Sequence, residues 1–420
     1  MYPGIENKSR FTKGADKYLL MIYAALVFIG WLAIYSSTYD ALAEVRTFDL
    51  TDFYGRQLLW ILVSAVVGVI ILLIDSNIFQ TYAGIIYIVC MGLILLVVFF
   101  GADINGAKSW IRIGSFTFQP IELAKFATAL MLAKFFSQGK TSLERRTQWF
   151  FAFGLILIPA AIAILQKDTG SALVFFSFII LFYREGFSTS LILLGLLAIF
   201  VFVIAIKFNE LYAIACLTVL LIVACVFNNG NTKKIIRNFV VYGSFALFVF
   251  AVNFAYTQIL QPHQRQRIDT IFGKSVDPKG ADFNLNQSKI AIGSGGFFGK
   301  GYLHGTQTKL NFVPEQRTDF IFCSIGEEFG FLGSIILIGL YITMVIRIIV
   351  LSEKARTDFT RIYGYGVASI IFFHLFINIG MTIGLIPVIG IPLPLVSYGG
   401  SSMLGFTLLI FTFLKLSAEY

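Results

Sequence analysis

Twelve predominantly apolar stretches recur along the 420-residue chain, at 18–37, 57–74, 79–100, 119–137, 147–165, 170–184, 189–206, 210–228, 236–258, 320–349, 362–385 and 401–417. Most approach the ~20 residues that an α-helix needs to cross a bilayer. Hydrocarbon offers no hydrogen bonds, so a backbone that crosses it must pair its own N–H and C=O groups, and a helix does so within one segment. The expected fold is therefore an all-α polytopic integral membrane protein with about 12 transmembrane helices. Composition agrees: 57% of the residues are hydrophobic and 13% charged, against about 25% charged in a soluble domain. The 45 phenylalanines need no polar partner when they face lipid. A single membrane domain over 1–420 is expected, with a large extracytoplasmic loop at 259–318 inside it.

Orientation follows from the connections. Lys8, Arg10, Lys13 and Lys17 precede the first span. Counting every second connection then gives Lys140 with Arg145 and Arg146, Arg184, Lys233 with Lys234 and Arg237, and Lys354 with Arg356 and Arg361. Lysine and arginine concentrate in cytoplasmic loops, which puts both termini inside and the 259–318 loop outside. The net charge of +9 thus marks membrane topology, and nucleic acid is not an expected partner. The first apolar run is too long for a cleavable signal and many more follow it. Cys90, Cys216, Cys225 and Cys323 lie in or beside apolar runs without metal-ligand spacing, so neither a disulfide framework nor a metal site is expected. No internal repeat is visible in the residues.

The segment from Gln261 to Arg317 is the longest polar interruption. It holds eight Lys or Arg, four Asp or Glu, and two of the three histidines. An excess of cations set among packing residues and glycines suits an outer loop that folds and meets an anion.

Charges inside spans cost about 2.5–3.5 kcal/mol each at the helix centre, so each needs a reason. Glu122 and Lys125 begin the fourth span after Pro120, which suits the first turn of a helix, and their spacing puts both on one face, where they can pair. Taken alone they also fit a capping carboxylate with a snorkelling lysine. Asp168, before Thr169-Gly170, fits a helix cap equally well. Glu327 and Glu328 are adjacent carboxylates in the tenth span, one of which can pair with a basic loop residue. His374 reads as a hydrogen-bonded packing histidine. By the sidedness above, Glu122 with Lys125, Asp168, the Ile391–Ser402 run and the large loop all fall on one face of the membrane. Their convergence is the argument for a site.

The combination of Gly106-Ala107-Lys108-Ser109-Trp110-Ile111, Phe118-Gln119-Pro120-Ile121-Glu122-Leu123-Ala124-Lys125, Gln166-Lys167-Asp168-Thr169-Gly170-Ser171-Ala172, the loop from Gln264 to Phe320, and Gly384-Leu385-Ile386-Pro387 through Ser402 resembles the SEDS family of shape, elongation, division and sporulation proteins. Gly299-Lys300-Gly301-Tyr302-Leu303-His304-Gly305-Thr306-Gln307 is more similar to its elongation branch than to its division branch. Ile121, Lys167 and Ser109 depart from the serine, proline and arginine usual at those places, and Lys108 or Arg112 are candidates to replace the missing cation. The family usually has about ten spans, and the surplus here falls at 208–235, as a helical pair that preserves sidedness.

The resemblance implies a peptidoglycan glycosyltransferase in the bacterial cytoplasmic membrane. It implies polymerisation of lipid II, an undecaprenyl-pyrophosphate-linked disaccharide pentapeptide, at the outer face during elongation, with inversion at the sugar. The implied partners are a class B penicillin-binding protein, other membrane proteins of the elongation complex, and membrane lipid. It also implies Asp277, in the loop's Asp-Pro motif, as general base. From the residues alone Asp277 ranks level with Asp269 and Asp282. Arg265, Arg267, Lys289 and Lys309 are the candidate donors to the pyrophosphate, since guanidinium and ammonium groups stabilise phosphate charge. Glu122, Lys125, Asp168 and Ser397 are further substrate-binding candidates. No cofactor is called for, and a divalent cation is the one such group that pyrophosphate chemistry leaves open. A lipid-linked precursor flippase or other transporter would also need many spans and intramembrane charges, and a non-catalytic scaffold of the cell-wall synthesis complex would tolerate loss of Asp277 while depending on its helix faces.

Overall fold

A computed structural model describes residues 15–39, 52–104, 107–114, 116–138, 146–208, 210–227, 232–259, 281–310, 312–313 and 315–418. Helices occupy all twelve expected places. In order they are α1 (Lys17–Thr38), α2 (Phe53–Leu73), α3 (Ser76–Phe100), α4 (Ile121–Gln138), α5 (Arg146–Leu165), α6 and α7 (Thr169–Phe175 and Ile179–Arg184), α8 (Thr189–Lys207), α9 (Glu210–Val226) and α10 (Thr232–Phe254). Two short loop helices, α11 (Ala281–Ser294) and α12 (Thr306–Lys309), precede α13 (Ile321–Glu353), α14 (Asp358–Thr382) and α15 (Gly400–Ser417).

Among the described residues, nine helices are long and apolar enough to cross a membrane, and the protein is a polytopic membrane protein. The expected count of about 12 includes three that fall short of that standard. One is α4, which carries Glu122, Lys125 and Lys134. The others are the pair at 169–184, divided by a tighter turn at Phe176–Phe178, and the shorter α9.

Two features depart from the sequence expectation. A small antiparallel sheet, β1 (Ala102–Ile104), β2 (Ala107–Ile113) and β3 (Phe116–Phe118), stands between α3 and α4, where the sequence reading placed only a connection. The stretch 320–349, read as one span, is interrupted at Gly330, whose φ of 65° and ψ of −159° are not helical. The reason is a close approach: a β-carbon at Gly330 would lie 2.3 Å from the Gly299 nitrogen. Phe331 N–H donates to the Gly296 carbonyl and Lys300 N–H to the Glu327 carbonyl. The loop thus pairs with backbone that the break sets free.

The chain divides into two compact units, 1–186 with 284–420, and 187–283. The 208–235 segment belongs to the second. In the first unit, α4 packs against α3, α14 and α15. Of the apolar windows in α14 and α15, 78% and 72% are buried, which makes these helices the interior of the unit. Their polar groups are paired locally: Thr407 Oγ1 donates to the Met403 carbonyl and Ser369 Oγ to the Tyr365 carbonyl. Phe99, Phe100 and Phe150 are exposed on outer faces, as lipid contact requires. In the second unit, Val201, Ala213, Leu217 and Val249 form the buried contact of α8, α9 and α10.

Candidate active site

The first unit holds a cavity of about 290 Å³ lined mainly by four sequence-distant pieces, the start of α4, the start of α6, the end of the long loop and the 390–402 connection, with Trp110 of β2 and His374 of α14 beside them. Each is held by identifiable contacts.

Glu122 and Lys125 form the charged pair on α4. Lys125 Nζ donates to Glu122 Oε1 at 2.7 Å, and both side chains are buried. Lys125 Nζ also lies 3.3 Å from His374 Nε2 and 5.9 Å from the centroid of the Phe406 ring. His374 Nδ1 is 3.0 Å from the Pro392 carbonyl. A carbonyl only accepts, so Nδ1 carries the proton and Nε2 is the acceptor facing the ammonium. His374 is hydrogen-bonded, as expected, and it also lines the cavity.

Asp168 is the N-cap of α6. It accepts from Ser171 N and Ser171 Oγ, both at 2.9 Å, and from Gln119 Nε2 at 2.8 Å. The cap and a place on the cavity wall coexist in one carboxylate. Lys167 before it has a φ of 61°, a value that a proline ring cannot adopt, so the departure from the family's proline accompanies a different local backbone. Ser109 is buried. Its neighbours Lys108 and Arg112 are exposed, and neither is among the residues that line the cavity, whereas Trp110 is.

The loop end contributes Glu315, Thr318 and Asp319. Thr318 Oγ1 donates to Glu315 Oε2 at 2.8 Å. Asn378 Nδ2 donates to the Asp319 and Ile391 carbonyls at 2.8 and 2.7 Å, which ties the loop, α14 and the 390–402 connection together. Ser397 Oγ donates to the Thr318 carbonyl at 2.6 Å and accepts from Leu393 N at 2.8 Å. Tyr398 N–H donates to the Arg317 carbonyl at 2.8 Å. Ser397 therefore clasps backbone, and the residues beside it, Tyr398, Gly399, Ser401 and Ser402, line the cavity.

Four carboxylates, Glu122, Asp168, Glu315 and Asp319, face this space with one ammonium, Lys125. Burial, assisted by the negative charges of Glu315 and Asp168, pushes the Asp319 carboxyl up to about 7. A cavity of this sign receives hydroxyls, amides or cations and repels a pyrophosphate. Glu315 and Asp319 carry no role in the sequence reading. The available signal was their position, four residues apart just before a span.

Of the candidate pyrophosphate donors, the two described ones, Lys289 and Lys309, are not among the residues that line this cavity. Lys309 is exposed, with Nζ 5.6 Å from the Tyr39 ring centroid. Lys289 is exposed on α11 beside Gly384, where a β-carbon would come within 2.4 Å of its Nζ. Asp277, Arg265 and Arg267 fall outside the described residues, as do Asp269 and most of the first half of the loop.

A second buried carboxylate organises the described part of the loop. Glu327 accepts from Lys300 Nζ at 2.7 Å, from the N–H groups of Thr306, Gln307 and Thr308 at 2.8 to 2.9 Å, and from the Thr306 and Thr308 hydroxyls. Glu328 accepts from Ser36 Oγ. The expected pairing of one of these glutamates with a basic loop residue is the Glu327–Lys300 ion pair.

The model of the cell cycle protein family of FtsW, RodA and SpoVE matches residues 16–221 and 188–420. The peptidoglycan glycosyltransferase MrdB of Escherichia coli K12 is 32% identical over 390 residues, covering 93% of this chain and 90% of that one. The peptidoglycan glycosyltransferase RodA of Treponema pallidum is 33% identical over 417 residues, covering 92% and 94%. Among solved structures, a chain of a peptidoglycan synthase complex that coordinates polymerization and crosslinking superposes with a TM-score of 0.69 at 24% identity, covering 96% of this chain and 97% of that one. The rod shape determining protein RodA of Thermus thermophilus superposes with a TM-score of 0.61 at 22% identity, covering 96% of each chain.

Proposed function

The chain belongs to the FtsW, RodA and SpoVE family of cell cycle proteins, the SEDS family, and from that premise we propose that it polymerises lipid II at the outer face of the cytoplasmic membrane with Asp277 as general base. Its activity is peptidoglycan glycosyl transfer, the activity its relatives are named for. The observation that carries the reading is the convergence of Glu122, Lys125, Asp168 and the 390–402 connection on one cavity with Glu315, Thr318 and Asp319 from the end of the long loop.

Glycosyl transfer from a lipid pyrophosphate needs a base for the acceptor hydroxyl and cations for the leaving group. Asp277 takes the proton from the acceptor sugar hydroxyl. As the bond from the anomeric carbon to the pyrophosphate breaks, Arg265, Arg267, Lys289 and Lys309 stabilise the charge that develops on the departing phosphate. The acidic cavity does not share that task. Glu122, Asp168 and Asp319 instead accept hydrogen bonds from sugar hydroxyls or peptide amides, and Lys125 and His374 fix the orientation of Glu122. Ser397 is assigned here a positioning role, since it holds the loop end at Thr318. Attack from the face opposite the pyrophosphate inverts the sugar.

A class B penicillin-binding protein is the proposed partner, with other elongation-complex membrane proteins around it. Both termini lie in the cytoplasm, as the Lys and Arg distribution directs.

The test is a lipid II polymerisation assay on purified protein with its class B partner. Wild type is expected to produce a glycan ladder, and Asp277→Asn to lose it by 100-fold or more, on the order of what a general base supplies, while still binding lipid II. Equal ladders from the two proteins would remove Asp277 as the base. Passage of lipid II across a sealed bilayer without bond formation would favour a transporter.

A further inference from the structure

The helices α8, α9 and α10 contain a second cavity, of about 430 Å³, which glycosyl transfer does not use. At one end the three helices meet closely through Val201, Ala213 and Val249, and Asn253 donates to Glu210. Toward the other end they splay. Leu194 and Leu197 of α8, Leu217 and Leu221 of α9, and Val241 and Phe245 of α10 line the opening. Each pair is spaced to lie on one helix face. The space is lined mainly by apolar side chains, with Tyr242 of α10 among them, and is most polar at that other end, where Ser190, Arg237 and Asn238 face it.

The charged side chains at that end are positive, and they outweigh the partial negative charge of the α9 C-terminus at Val226, which falls on the same side. Helix α8 starts there at Thr189 and α10 at Thr232, so two helix N-termini with their partial positive charge point to it. Lys233 and Lys234 stand in the first turn of α10, and Arg237 follows one turn later. Glu210 sits at the opposite, closed end. By the Lys and Arg distribution the basic end lies at the cytoplasmic interface, where the leaflet carries anionic lipid and basic pockets between helices bind its headgroups. The cavity falls within the range of about 300–1,000 Å³ usual for small-molecule sites.

We propose that this three-helix unit binds one anionic glycerophospholipid of the inner leaflet, with its phosphate at Arg237 and an acyl chain in the cavity. The chain supplies apolar contact and the phosphate takes the guanidinium's paired donors. An apolar slot with cations at one end matches an amphiphile of that polarity and leaves no place for a second charged group deeper in.

The experiment is native mass spectrometry of the full-length protein, released from detergent with added phosphatidylglycerol or phosphatidylcholine. One phosphatidylglycerol is expected to be retained at least fivefold more than phosphatidylcholine. Arg237→Gln, at an exposed position, should erase that preference, and Arg237→Lys should restore part of it. Leu221→Trp, which fills the slot while leaving Arg237 in place, should reduce retention of both lipids to the background of the outer helix faces. Equal retention of the two lipids by wild type, or retention unchanged in both Arg237→Gln and Leu221→Trp, would overturn the site as ordinary boundary lipid. Displacement of the lipid by millimolar inorganic phosphate alone would reduce it to a surface anion site. A melting temperature within a few degrees of wild type confirms that each variant compared is folded.

Discussion

Glu122 and Glu327 are both buried glutamates on membrane helices, and both pair with a lysine at 2.7 Å, yet their surroundings make them different devices. Glu327 is saturated: three backbone N–H groups, two hydroxyls and Lys300 all donate to it. Every donor comes from the loop, so the carboxylate works as an anchor that fixes residues 300–308 to α13. Glu122 has one donor, Lys125, and lines a cavity. A carboxylate with unused acceptor capacity beside a cavity is available to a ligand, whereas a saturated one is available to the fold. Number of partners, rather than burial or charge, separates the two roles.

The largest effect that can break this comparison is predicted at Glu327. Glu327→Ala leaves Lys300 and three N–H groups without their acceptor, and removing one partner of a buried pair costs about 3–5 kcal/mol. Thermal unfolding in detergent should show a strongly destabilised protein, with residues 300–308 newly open to protease. A variant that melts like wild type would refute the anchor role.

Glu122→Gln should behave in the opposite way. Its amide oxygen still accepts from Lys125, so the stability loss is expected to be about 1–2 kcal/mol, while lipid II polymerisation falls roughly 10- to 100-fold, on the scale of a positioning contact. Polymerisation at the wild-type rate would make Glu122 a second anchor.

The Asp319 carboxyl is raised from the ordinary 3.8 to about 7 by burial and by the neighbouring charges of Glu315 and Asp168. The folded protein therefore holds a proton that the unfolded chain has released between these values. The sign follows: this group favours the folded state at low pH, and that contribution is lost as pH rises from about 4 to about 7, by at most about 1.4 kcal/mol per pH unit. Denaturant titrations across that interval should show a flatter pH dependence in Asp319→Asn than in wild type.

The smallest effect is expected at Lys289. It is exposed beside Gly384, so Lys289→Ala should leave stability within about 0.5 kcal/mol of wild type. In its proposed role it should weaken lipid II binding about fivefold, measured as a dissociation constant, and more at low salt than at high salt.

Much of the candidate site was legible in the sequence. Glu122 and Lys125 are three residues apart at the start of a largely apolar helix, where pairing is the simplest way to carry two charges into a membrane, and they pair. The reading of Asp168 as either cap or site residue was open for a physical reason: an aspartate before a helix can satisfy N–H groups with one edge and face a ligand with the other, and here it caps α6 while lining the cavity. Glu315 and Asp319 were not legible, because their importance comes from what the 390–402 connection and α14 bring against them. Ser397 read as a ligand contact in the closing motif, and its hydroxyl is occupied by Thr318 and Leu393 backbone.

The sequence by itself determined the class of fold and the places of its twelve apolar helical stretches, because apolar length and paired backbone follow from local composition and the solvent the chain must meet. It also determined the family, because five motifs spread over most of the chain recur in combination. Tertiary structure decided the break at Gly330, the saturation of Glu327 against the openness of Glu122, and the sign of the charge inside the cavity. Those depend on how closely separated segments approach, from loop residues 19 to 27 positions away from Glu327 to His374, 249 positions from Lys125, and close approach is a property of packing that no local pattern encodes.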